Sequence, residues 1–127
     1  MKPWKIIQKL ESDNSRLFKE GVIEDNLHDI ILQEGLSMCL DALVTFGVKQ
    51  VPESSNGGKG LDWDKFKSSA LLLINRERTG HAARDEILHL MSLATTEQWN
   101  DWYRRILIKD LRCGVSQKTV NNVSKKM

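Results

Sequence analysis

The sequence is poor in the residues that announce most site chemistries. It has two cysteines, Cys39 and Cys113, and neither has a second Cys or a His at zinc-ligand spacing. His28, His81 and His89 are scattered as well, which argues against a metal site. Two lone thiols fit a reducing cytosol better than a disulfide framework. No apolar run approaches membrane-spanning length, and Met1-Lys2-Pro3-Trp4 does not open a signal-peptide pattern. A soluble, cytoplasmic protein without a membrane partner is therefore expected. Nucleophile motifs and metal clusters are missing. Gly57-Gly58-Lys59-Gly60 lacks the Gly-Lys-Ser/Thr of a phosphate loop, and no strand pattern precedes it. No catalytic residue, metal ligand or cofactor is assigned to this chain.

Helical periodicity is what the sequence has in abundance. Its 127 residues suit one domain over 1–127. Pro3 opens a short helix with Trp4, Ile7 and Leu10 on one face. A second short helix is expected from Ser15 to Glu20, with Gly21 as its candidate end. Leu27, Ile30, Ile31, Met38 and Leu43 mark a long third helix that ends at Phe46-Gly47. Residues 52–60 are all turn formers, Lys and Glu, so an internal flexible loop is placed at about 52–61. Asp62 or Asp64 caps a fourth helix through Leu71–Ile74 that stops at Thr79-Gly80. A fifth turns Ala82, Ala83, Ile87, Leu88 and Met91 inward. Thr95 or Thr96 caps a sixth, with Trp99, Trp102, Tyr103, Ile106 and Leu107 on its apolar face. Ser116 starts the last, with Val120 and Val123 inward, and a linker is expected to begin at 124–127. The fold class is all-α: a single compact domain of about six or seven helices with two helix-glycine-helix junctions.

Charge is uneven. Residues 104–127 carry seven Lys or Arg against the single acid Asp110, while twelve basic and sixteen acidic residues precede them. A localised basic face points to nucleic acid more than the net charge of +2 does; its plainer reading is a solvated helix face. The fourth and fifth helices also align with the sixth and seventh at an offset of 34 residues. Arg78 falls on Arg112, Gly80 on Gly114, Ala82 on Ser116 and Arg84 on Lys118. Each half reads as helix, Arg-x-Gly and a new helix start. Glycine allows positive φ and close approach of a phosphate, and a helix start offers free N–H groups and a positive dipole end. Two such junctions suit two points on a nucleic-acid backbone, without reading bases. Trp99, Trp102 and Tyr103 have base-stacking chemistry, but their helical spacing reads as core. Asp110 reads as an internal partner for a nearby Arg or Lys.

The segment from Arg104 to Ser116, with Asp110-Leu111-Arg112-Cys113-Gly114 at its centre, and Arg78-Thr79-Gly80-His81-Ala82-Ala83 upstream resemble the N-terminal DNA-binding domain of ATP-dependent DNA ligases. The likeness is closest to those of T-even-type bacteriophages, and it is strongest over roughly 70–124. The resemblance implies a helical domain on the minor groove of duplex DNA, opposite a catalytic core, that helps to encircle a nick. Carried over by position, the DNA-binding residues are Thr79, Gly80 and His81 at the first junction. At the second they are Arg112, Gly114, Ser116, Gln117, Lys118 and, more weakly, Thr119. The phage relatives can carry an acidic residue at the position of Arg112. The lysine–AMP motif Lys-x-Asp-Gly is absent, so this chain is not expected to seal DNA alone. The resemblance implies a parent ligase whose separate nucleotidyltransferase domain takes ATP and Mg, in the host cytoplasm if the source is a bacteriophage. The alternatives are a free-standing helical protein–protein module with a basic face and an independent enzyme.

Overall fold

The computed structural model describes residues 2–126, with side chains through Ser124. Among them lie seven helices and no strand: α1 (Pro3–Glu11), α2 (Arg16–Asp25), α3 (Ile30–Leu40), α4 (Trp63–Ile74), α5 (Gly80–Leu93), α6 (96–107) and α7 (Gln117–Lys126). No described helix is long and apolar enough to cross a membrane.

The caps follow local chemistry. Pro3 occupies the first turn of α1, where its missing N–H has no intrahelical partner to lose. Ser15, Asp29 and Asp62 accept the N–H groups of Phe18, Leu32 and Lys65, fixing the starts of α2, α3 and α4. Thr95 and Gln98 form a reciprocal capping box at α6.

Helix α6 forms the centre of the core. An α turn, Thr96–Gln98, leads into a π-helical segment, Trp99–Tyr103, and the α pattern resumes over Arg104–Leu107. The wider π turn puts Trp99, Trp102 and Tyr103 inside together, as their spacing suggests. Trp63 and Phe66 of α4 pack on this group; the Phe66 and Tyr103 ring centroids are 4.5 Å apart. The Tyr103 hydroxyl donates to the Leu61 carbonyl at 2.6 Å. Gly35 of α3 lies where any Cβ would strike the Trp102 ring, so glycine is required there for close packing.

Several boundaries differ from the sequence reading. Helix α2 runs through Gly21 to Asp25, because Val22 and Ile23 are buried and burial outweighs glycine's poor helix propensity. Helix α3 stops at Leu40, before Phe46-Gly47. Its core face is Leu32, Gly35, Leu36 and Cys39; Ile30 and Leu43 are 73% and 92% exposed. Helix α4 ends at Ile74, where Arg76 takes a left-handed φ of 60°. On α5, Ala83, Ile87 and Leu90 are buried, whereas Ala82 and Leu88 face outward. Helix α7 continues through Lys126, so the linker expected at 124–127 is helical to that point; Met127 lies outside the described residues.

The 41–62 connection is laid against the core. Ser54 N–H donates to Asn100 Oδ1 at 2.7 Å, and Asn100 returns a bond to the Ser54 carbonyl. Gly58 and Gly60 donate to the carbonyls of Ala94 and Leu93. Trp99 Nε1 and Arg104 Nε hold the carbonyls of Pro52 and Val51 at 2.9 and 2.7 Å. The stretch read as a flexible loop is thus tied at both ends and in the middle.

Candidate nucleic-acid interface

Both glycine junctions are built from backbone that only a few residues adopt readily. Gly80 has φ 53° and Gly114 has φ 73°, and Arg112 joins them at 55°. Gly80 opens α5 directly. Thr79 is its N-cap, yet the Thr79 hydroxyl makes no capping bond. The second junction is longer: α6 ends at Leu107 and α7 begins at Gln117. The 34-residue correspondence therefore holds for the left-handed glycines, not for the full length of each junction.

Between Leu111 and Ser116 every second residue turns inward. Leu111, Cys113 and Val115 are buried; Arg112, Gly114 and Ser116 are exposed. The Asp110 carboxylate accepts the backbone N–H of Arg112 at 2.9 Å, a turn-forming role in place of the side-chain ion pair expected for it. Ser116 and Thr119 exchange N–H···Oγ bonds at 3.4 Å and cap α7, so both hydroxyls have a structural task. Gln117 Nε2 donates to Asn121 Oδ1 at 3.3 Å.

The basic stretch divides into inner and outer cations. The Lys109 ammonium is directed at the end of α3, where it donates to the carbonyls of Met38, Asp41 and Val44 at 3.1, 2.7 and 2.5 Å. Arg105 is also spent internally. Its guanidinium bonds the carbonyls of Asn100 and Leu111 and pairs with Glu11 and Asp101. Burial, the largest cause, lowers its pKa from the ordinary arginine value. Arg104, Arg112 and Lys118 remain toward the surface.

An open cleft of about 770 Å³ brings the junctions together. Its walls are the 47–52 segment, the first two turns of α5 and the end of α6 with Arg112. The lining includes Gly80 from the first junction and Arg112 from the second. Lys49, Arg84 and Arg104 complete the charge, and no acidic residue lines the cleft. Lys49, Arg84 and Arg112 make no ion pair with the described residues. Ile87, Leu88 and Ile108 supply the apolar floor.

Of the nine sequence candidates, the cleft lining holds Gly80 and Arg112. Thr79 and His81 are exposed on either side of Gly80, and Gly114, Ser116 and Lys118 are exposed along the second junction. Gln117 instead lines a separate groove of about 480 Å³ beside the end of α3. Thr119 is half-buried in the α7 cap. Lys49, Arg84 and Arg104 were not among the candidates. Arg84 had a signal, one helical turn beyond Gly80; Lys49 had none, because only the folded 41–62 connection brings it to α5. Among the described residues no group of His, Cys, Asp and Glu is arranged to hold a metal ion.

No protein-family model and no curated protein matches the chain. Solved structures do, and two of them show the extent of the likeness. One, named Pmar-Lig_Pre, superposes with a TM-score of 0.95 at 50% identity over 100% of this chain. Another, Pmar-Lig_PreS3, gives a TM-score of 0.95 at 51% identity over 99% of this chain. The chain spans 30% of the length of each, so it is similar over its whole length to one part of two longer chains.

Proposed function

We propose that the chain is the duplex-DNA-binding domain of an ATP-dependent DNA ligase. In this reading it grips the backbone and minor groove around a nick without reading sequence. The observation that carries the proposal is the cleft, where Gly80 of the first junction and Arg112 of the second meet Lys49, Arg84 and Arg104 with no acidic residue in the lining. Cations without protein carboxylate partners are available to phosphates, and binding releases the counterions condensed on the duplex. The exposed glycines let a backbone approach closely, and the first turn of α5 adds free N–H groups.

The "Lig" in the neighbours' names reads as ligase, and their extra length leaves room for a catalytic domain. ATP and Mg belong to that domain in this reading, and no residue of this chain is assigned to them. Phosphate contacts position a protein without carrying sequence information, which suits an activity that acts at any nick.

Fluorescence anisotropy with nicked duplex, intact duplex, single-stranded DNA and polyglutamate tests the proposal. The two duplexes should bind above the others. Equal or tighter binding of polyglutamate would favour a module for acidic proteins. No duplex binding at low salt would refute the DNA reading.

A further inference from the structure

Lys19 sits on α2, far in sequence from either junction, yet its ammonium lies under the second one. It is 7% exposed and donates to the carbonyl of Cys113 at 2.6 Å. A Cβ on Gly114 would run into the Lys19 Nζ, so the lysine and the glycine occupy one shared space. Arg105 acts alongside it, with Nη1 donating to the Leu111 carbonyl at 2.9 Å. Cations from α2 and α6 therefore hold two alternate carbonyls of the segment, at residues whose side chains are also buried. The residues between and after them, Arg112 and Gly114, are the exposed ones with left-handed φ.

A buried ammonium is an expensive way to fill space. Taking it out of water carries a desolvation penalty that is recovered only through well-placed partners. A methionine of similar length would fill the gap between α2 and the junction without that cost. What methionine lacks is a donor, and the donor fixes the orientation of the Cys113–Gly114 peptide. That orientation sets which way Arg112 and Gly114 face.

We propose that Lys19 is a positioning residue for nucleic-acid binding: through Cys113 it holds the second junction so that Arg112 meets the DNA backbone. The inference rests on the DNA-binding reading above. Lys19 touches no DNA itself and acts through Arg112.

A double-mutant cycle on nicked-duplex affinity tests this. The parent, Lys19→Met, Arg112→Ala and the double variant are titrated by anisotropy at several salt concentrations, with circular dichroism and thermal melts beside them. Lys19→Met should stay folded, lose about five- to tenfold in affinity and flatten the log–log salt slope by about one unit, as Arg112→Ala does. The double variant should bind no more weakly than Arg112→Ala, because both changes remove one contact. Lys19→Gln, whose shorter amide does not reach Cys113, should repeat the loss. Folded Lys19 variants that bind like the parent would overturn the inference, as would losses that multiply in the double variant. Unfolding of both Lys19 variants would assign the residue to folding and also overturn it. Failure of the parent to bind any duplex is a different result, and it would fall on the DNA reading itself.

Discussion

Gly80 and Gly114 share a left-handed backbone, but their surroundings differ. A Cβ at Gly80 meets nothing within 4 Å, whereas one at Gly114 meets Lys19. Gly80→Ala should therefore lower stability by about 1–2 kcal/mol, the cost of left-handed φ in a residue with a side chain. Gly114→Ala should add to that about 1.5–3 kcal/mol from the displaced charge-assisted bond. Urea melts of both variants check the order; equal losses would mean that Lys19 moves aside freely. The thiols give a second residue-scale expectation. Burial pushes Cys39 from 9.0 up to about 12, with Lys109 opposing, and burial also raises Cys113. From pH 9.0 toward 12 the unfolded thiol ionises while the folded one stays protonated, so stability is full below this window and is lost as pH rises through it. The loss approaches about 1.4 kcal/mol per pH unit for one thiol. Thermal melts from pH 7.5 to 10.5 should show a shallower decline for Cys39→Ala than for the parent. The two glycines could be read from the sequence because left-handed turns select a few residue types, and Arg112 because its charge stands beside the second junction; its own left-handed φ could not. Lys19 could not, since a lysine on a short amphipathic helix looks like any solvated one, and only tertiary packing buries it.

Helix ends are where remote side chains do most. The end of α3 has no glycine stop; Lys109, a cation at the negative end of the helix dipole, holds the carbonyls of Met38 in its last turn, of the cap residue Asp41 and of Val44 just beyond. Lys109→Met should cost about 2–3 kcal/mol by leaving these carbonyls without their charged partner. Hydrogen exchange should quicken at the Asp41 and Val44 amides, which close the last turns there. Unchanged exchange at both would show that solvent replaces the ammonium without penalty. This explains why the third helix looks longer in sequence than it is. Ile30, Ile31 and Leu43 suggest one apolar stripe, but the cap comes from a residue 68 positions from Asp41 and leaves no local mark. Helix α6 was legible for the opposite reason. Its aromatic run, its Thr95 cap and its buried face are all local, and only the π turn within it departs from simple helical spacing. The 52–60 stretch has loop composition, but its ties to Asn100, Leu93 and Ala94 are long-range.

At the scale of the whole molecule, the fold separates two kinds of cation. Lys19, Arg105 and Lys109 face inward and hold backbone carbonyls, while Lys49, Arg84 and Arg112 gather around one cleft; Arg104 does both, lining the cleft while its Nε holds the Val51 carbonyl. The sequence showed the excess of positive charge and its association with the second junction. It did not show that the excess divides in this way, nor that the 41–62 connection adds a third wall. This division is the basis of the functional account, because outward cations meet phosphates directly, whereas inward ones act on the grip only through the backbone they hold. The most direct test is the salt dependence of nicked-duplex affinity for the parent, Arg84→Ala, Arg112→Ala and their double variant. About four to six phosphate contacts predict a log–log slope of roughly −4 to −5 for the parent, about one unit flatter for each single variant and two for the double. A slope near zero, or folded variants whose affinity and slope match the parent, would contradict the account.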